Sequence, residues 1–150
     1  MALLKLNGLE KIYNGRKVVD SISLDVNSGE VVGLLGPNGA GKSTTFYMTV
    51  GMVKPDGGQV FLDKKNVSDY PMYLRARNGI GYLPQDASVF KKLSVRNNIL
   101  AILEMLNIKK DKRKQITDRL LEELGIYQLA KQKASLLSGG ERRRLEIARS

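Results

Sequence analysis

A chain of 150 residues is long enough to bury one domain's core, and 42% apolar with 27% charged residues is a globular composition. It has no cysteine and no histidine, which excludes a disulfide framework, a thiolate or imidazole metal site and a histidine base. The net charge of +10 favours polyanionic partners or an anionic membrane surface, although solvated lysines and arginines account for it as simply. No apolar run approaches the roughly 18 residues that span a bilayer. The start, Met1-Ala2-Leu3-Leu4-Lys5, lacks a signal-peptide core, so the chain is expected in the cytoplasm.

Residues 1–35 read as β structure. Leu4-Lys5-Leu6 and Ile22-Ser23-Leu24-Asp25-Val26 alternate as half-buried strands do, and Asn14-Gly15 and Ser28-Gly29 are turn signals between them. Tyr13, just before the first turn, can stack on a base or pack on a hairpin neighbour. Val31-Val32-Gly33-Leu34-Leu35 is an apolar run suited to a buried parallel strand. Gly36-Pro37-Asn38-Gly39-Ala40-Gly41-Lys42-Ser43-Thr44 follows and reads G-x-x-x-x-G-K-[ST], the phosphate-cradling P-loop. Its glycines can take positive φ and leave room for backbone to approach an anion. The helix expected from Lys42 to Val53 adds unpaired N–H groups and a partial positive charge. Lys42 supplies a mobile cation for the outer phosphates, and the Ser43 hydroxyl can ligate Mg²⁺.

Lys54-Pro55-Asp56-Gly57-Gly58 reads as a loop and Gln59–Asp63 as a strand. Asp69 can cap a short helix from Met72 to Arg77. Ile80-Gly81-Tyr82-Leu83 reads as a second buried strand ended by Pro84-Gln85, where α/β sheets bind ligands; Gln85 can reach a metal or a water there, or be a surface amide. Helices then take over. Ser94 caps a segment with Val95, Ile99, Ile102, Leu103 and Leu106 on one stripe. Lys109–Lys114 carries five basic residues in six positions. Ile116, Leu120, Leu121 and Leu124 form a second stripe that Gly125 stops. In Leu137-Ser138-Gly139-Gly140-Glu141, Ser138 and Glu141 form a capping box. The two glycines weaken a first turn and leave its backbone bare for an anion.

These stretches, in this order, resemble the ATP-binding subunits of ABC transporters. Gly36–Thr44 matches the Walker A motif, Gln85 the Q-loop glutamine and Leu137–Glu141 the LSGGE signature, while Tyr13 falls where the family keeps an adenine-stacking aromatic. The fold this implies is α/β: a P-loop NTPase core, an N-terminal antiparallel β subdomain and an α-helical signature subdomain. Residues 1–86 would form the β subdomain and P-loop core, and 87–150 the helical subdomain. Phe46-Tyr47-Met48, Arg75-Ala76-Arg77, the run from Gly79 to Phe90, Leu93-Ser94-Val95 and Glu141–Arg144 are similar to the lipopolysaccharide-export branch of that family. Importers of branched-chain amino acids share several of these phrases.

The resemblance implies two subunits that sandwich two ATP molecules with Mg²⁺. Lys42 and the loop from Gly36 through Pro37, Asn38, Gly39, Ala40 and Gly41 to Ser43 and Thr44 would hold the phosphates. Ser43 and Gln85 would hold Mg²⁺, Gln85 would also sense the γ-phosphate, and Tyr13 would stack on the base. Ser138 and Gly140 would close on the nucleotide of the other subunit, and Gln85–Phe90 would receive inner-membrane transporter subunits. The implied place is the cytoplasmic face of the inner membrane, with no nucleic acid expected as partner. Alternatives are an ABC ATPase for another cargo, a family member acting on ribosomes or nucleic acid, and an inert fragment.

The family's Walker B aspartate, catalytic glutamate and switch histidine have no counterpart before Ser150, so the C-terminal half of the core sheet is expected to be missing. Val31–Leu35 and Ile80–Leu83 would then lack sheet neighbours and expose apolar edges. The expectation is a marginal chain that binds nucleotide without steady turnover.

Overall fold

The computed structural model describes residues 2–150. Two compact units divide at Gly81/Tyr82; each is described by itself.

The first unit is built on the hairpin β1 (Ala2–Tyr13) and β2 (Arg16–Asn27). Asn14 and Gly15 both take positive φ, 49° and 76°, which a two-residue loop needs to match the right-handed strand twist. Helix α1 (Lys42–Val50) comes next, then β3 (Gly57–Leu62), the short β4 (Lys65–Asn66) and α2 (Met72–Arg77). The sheet is antiparallel, in the order β2-β1-β3-β4. Leu6, Leu9, Val19, Val60 and Val67 are buried with Met48 of α1. Each such side chain contributes about 1.5–3 kcal/mol by leaving water, which holds α1 on the sheet. The helix ends earlier than expected, because Gly51 at φ 83° turns its amide back to the Tyr47 carbonyl.

Two expected strands do not form. Val31–Leu35 carries no strand pairing, and Val31 and Leu35 are 97% and 92% exposed. Ile80–Leu83 is likewise outside any strand. A parallel strand depends on neighbours along both edges and cover on both faces. The antiparallel sheet takes up neither run, so apolar composition alone does not organise them. Asp69 does not cap α2: Pro71 holds the N-cap position, where its fixed φ suits helix entry, and Asp69 instead pairs with Lys54 at 2.9 Å on the surface.

The second unit packs α3 (Val95–Glu104), α4 (Lys110–Glu123) and α5 (Gly139–Arg149). Its core joins Val95, Ile99 and Leu103 of α3 to Leu121 of α4 and Leu145 of α5, with Ile126, Ala130, Ala134 and Leu137 from the connections. Ser94 caps α3 by accepting from the Asn97 amide at 3.1 Å, as its position predicts. The basic run at 109–114 becomes the N-cap and first turns of α4. The unit begins before residue 87, because Tyr82–Asp86 travel with the helices: the Pro84 carbonyl accepts from Arg143 of α5 at 2.9 Å.

Candidate functional site

The glycine loop ends where α1 begins. Gly39 and Gly41 sit at φ 82° and 80°, a backbone that L side chains rarely adopt. Gly41 is the N-cap of α1, and no side chain caps that turn. A Cβ on Gly41 would lie 2.3 Å from the Val18 carbonyl oxygen, so the loop can lie this close to β2 only with hydrogen at that position. The Gly41 carbonyl accepts the Thr45 amide at 2.9 Å and the Thr45 hydroxyl at 3.0 Å, closing the first helical turn. The N–H groups at the start of α1 therefore carry the partial charge that attracts an anion.

The loop is open. Asn38, Gly39, Ala40, Gly41, Lys42, Ser43 and Thr44 line a groove of about 360 Å³ together with Val18. Lys42 folds back over the loop, its ammonium donating to the Gly36 and Pro37 carbonyls at 2.7 and 2.6 Å. These bonds brace the loop and keep a cation within it. Val18 carries no sequence signal for this role; it reads as one more strand residue, and only the pairing of β1 with β2 brings it beside the glycines. Tyr13 stands at the end of β1, 45% exposed, with the Lys11 ammonium 5.4 Å from its ring centre. One ring face is thus engaged by a cation, while nearly half the side chain remains accessible to a planar ligand.

Gln85, Ser138 and Gly140 lie in the second unit and are exposed. Gln85 is held through its neighbours. The buried Glu146 carboxylate accepts from the Ser88 amide at 3.0 Å and from Arg143 at 3.3 Å, and the Arg149 guanidinium lies 4.5 Å from the Phe90 ring centre. Three residues of α5 thus tether the segment 84–90. Sequence reading leaves Arg143 and its neighbours as a charged helix face and gives Glu146 no role.

At the start of α5 the Ser138 amide and hydroxyl both donate to the Glu141 carboxylate at 2.8 Å, and the Ser138 hydroxyl accepts from the Glu141 amide at 3.4 Å. The two bonds from Ser138, backbone first, hold the Glu141 carboxyl below its usual range, with Arg144 adding to the effect. Gly139 and Gly140 are open: an added Cβ would meet nothing within 4 Å at either.

The Ser43 hydroxyl in the first unit and, separately, the Gln85 amide in the second are neutral oxygen donors, the kind a hard cation takes alongside phosphate and water. Among the described residues no three His, Cys, Asp or Glu cluster as a metal site, and no helix is long and apolar enough to cross a membrane.

A family model described as ABC transporter matches residues 19–150. The chain belongs to the ABC transporter family. It is 52% identical to the lipopolysaccharide export system ATP-binding protein LptB of Escherichia coli (strain K12), over 100% of this chain and 63% of that protein. A probable ABC transporter ATP-binding protein of Azorhizobium caulinodans is 57% identical over 95% of this chain and 51% of its own length. Among solved structures, an ATP-binding cassette of an ABC transporter in its ADP conformation matches with a TM-score of 0.83 and 28% identity, covering 99% of this chain and 64% of that one. The cbiO1 protein of Clostridium perfringens, part of the cbiONQ transporter complex, matches at 0.86 and 30%, covering 98% and 60%. The fold is therefore the α/β fold of the ABC cassette, and the chain spans between about half and just under two thirds of these relatives' length.

Proposed function

We propose that this chain is the nucleotide-binding part of an ABC-type ATPase whose hydrolysis of ATP powers lipopolysaccharide export. The observation that carries the nucleotide reading is the open groove at the uncapped start of α1, with Lys42 folded into the loop. The identity of about half the residues to LptB supports the cargo.

In this reading the amides of Gly39 to Ser43 and the Lys42 ammonium bind the β- and γ-phosphates. Ser43 and Gln85 would hold Mg²⁺, which would supply charge neutralisation at the phosphates. Tyr13 stacks on adenine, and Val18 borders the phosphate loop. Pro37 shapes the loop entrance, and Thr44 continues the groove wall into the helix. Ser138 and Gly140 offer α5 to the nucleotide of a second copy, which makes the working unit a homodimer. The tethered segment Gln85–Phe90 receives the membrane-embedded transporter subunits, placing the protein peripherally on the cytoplasmic face of the inner membrane. Phosphoryl transfer in such a site depends mainly on positioning and charge stabilisation.

The test is titration with a fluorescent ATP analogue and Mg²⁺. Lys42→Ala removes a charge-assisted contact worth about 1.5–3 kcal/mol, so affinity should fall roughly 10- to 100-fold. Equal binding by the variant, or none by the parent chain, would refute the assignment. Co-purification of the full-length protein with inner-membrane subunits that carry lipopolysaccharide, rather than with those of an importer, tests the cargo.

A further inference from the structure

Arg75 is a charged side chain that is 1% exposed, and its sequence position, three residues into a short helix, gives no hint of that. Its guanidinium donates to four backbone carbonyls. One terminal nitrogen serves Met48 at 2.6 Å and Thr49 at 2.7 Å, the other serves Ser68 at 2.7 Å, and Nε serves Tyr70 at 2.8 Å. Met48 and Thr49 lie in the last turn of α1, where helix carbonyls lack partners along the chain. The contact is also sterically closed. A Cβ on Gly51 would lie 2.8 Å from Arg75 Nε and 2.9 Å from the Tyr70 carbonyl oxygen. Burial alone pulls this guanidinium toward its neutral form, with Asp69 opposing. The four carbonyls compensate the desolvation, and lysine cannot copy that planar fork.

From this geometry we propose that Arg75 is a positioning residue for the phosphate loop. It fixes the C-terminal end of α1 so that the opposite end presents its N–H groups in one orientation. This rests on the nucleotide-binding reading above. Nine residues at about 1.5 Å rise put the two ends of α1 some 13 Å apart, too far for the guanidinium's charge to act on phosphate through the first turn. The influence is geometric. A rigid helix whose tail takes two of these hydrogen bonds, while the other two anchor the guanidinium to Ser68 and Tyr70, and whose Met48 sits in the core, cannot tilt its head. Released at the tail, it can rock about Met48, and the amides at Gly41, Lys42 and Ser43 lose their common direction. The effect must grow with the number of phosphates in the loop and leave the base contact alone.

The test compares Arg75→Met and Arg75→Lys with Val67→Ala, a core change in the same unit that lowers stability but removes none of the four carbonyls Arg75 holds. Binding of AMP, ADP and ATP with Mg²⁺ is measured at a temperature where all four proteins are folded by circular dichroism. The ¹⁵N amide resonances of Gly39, Gly41 and Lys42 are followed in the same samples. Arg75→Met should reduce ATP affinity by about tenfold or more and AMP affinity little, with those amide resonances shifted or broadened. Arg75→Lys should recover part of the loss, and Val67→Ala should leave the ATP-to-AMP affinity ratio unchanged. If Arg75→Met binds all three nucleotides as the parent does, or moves none of the three resonances, the inference fails while the nucleotide site stands. A loss equal for AMP and ATP, or the same loss in Val67→Ala, also overturns it, because both mark general destabilisation. A parent chain that binds no nucleotide removes the reading beneath it instead.

Discussion

The chain opens two helices with glycine and finishes them differently. At α1 the N-cap is Gly41, no side chain caps the turn and no acidic residue sits in it. At α5 two glycines fill the first positions, but Ser138 and Glu141 cap each other and place a carboxylate at the helix end. The same backbone chemistry thus gives one permanently electropositive end and one that already holds an anion of its own. A phosphate meets bare donors and a cation at α1. At α5 it must share the helix end with Glu141, so binding there needs a second source of free energy, such as the closing of two copies. The difference lies in single side chains, and each can be changed.

The largest effect should come from Gly41→Val. It forces a β-branched residue to φ 80° and drives Cβ into the Val18 carbonyl. The left-handed backbone alone costs about 1–2 kcal/mol; with the clash, thermal melting of the first unit should drop by several degrees and ATP binding should vanish in titration. A melt and an affinity like the parent's would mean that the loop does not need glycine. Next is Ser138→Ala, which removes one half of the capping box and should weaken the start of α5 by about 1 kcal/mol. Hydrogen exchange would show this as faster exchange at Glu141 and Arg142, with α1 unaffected.

The smallest effect is a dependence on pH. The Glu141 carboxyl is held below its ordinary value, so its contribution is complete above that value, near pH 4.5, and is lost as pH falls through the lowered folded one. Hydrogen exchange at the first turn of α5 should therefore speed up only under acid conditions. The first turn of α1 contains no acidic group and should show no such step. Equal acid sensitivity at both ends would erase the distinction drawn between them.

Much of this was legible beforehand because local chemistry dictated it. Asn14-Gly15 can close a two-residue hairpin, Ser94 and Ser138 cap the helices that start beside them, and the glycine spacing before Lys42 leaves the backbone few alternatives. The apolar stripes of α3 and α4 likewise announced a shared core. The features that escaped depended on partners distant in sequence. Val31–Leu35 and Ile80–Leu83 have strand composition, yet a parallel strand exists only through its neighbours, and composition cannot supply them. Arg75 and Glu146 look like surface charges until the fold brings carbonyls or an arginine to them. Val18 joins the site only because β2 runs beside the loop, and Asp69 yielded the cap to Pro71, whose ring already sets the helical angle. The roles of Tyr13, Lys42, Gln85, Ser138 and Gly140 in holding a ligand are proposals for the titrations above.

The ribbon at Val31–Leu35 has a consequence for the solubility of the 150-residue polypeptide. Five residues without a charge, with Val31 and Leu35 almost wholly in water, form a β-prone sticky segment of the kind that seeds aggregates. Val32 and Leu34 between them line an apolar hollow with Leu4, Leu6, Leu24 and Val26, so the run turns alternate side chains inward and outward, and polar substitution of Val31 or Leu35 should improve solubility without disturbing the hollow.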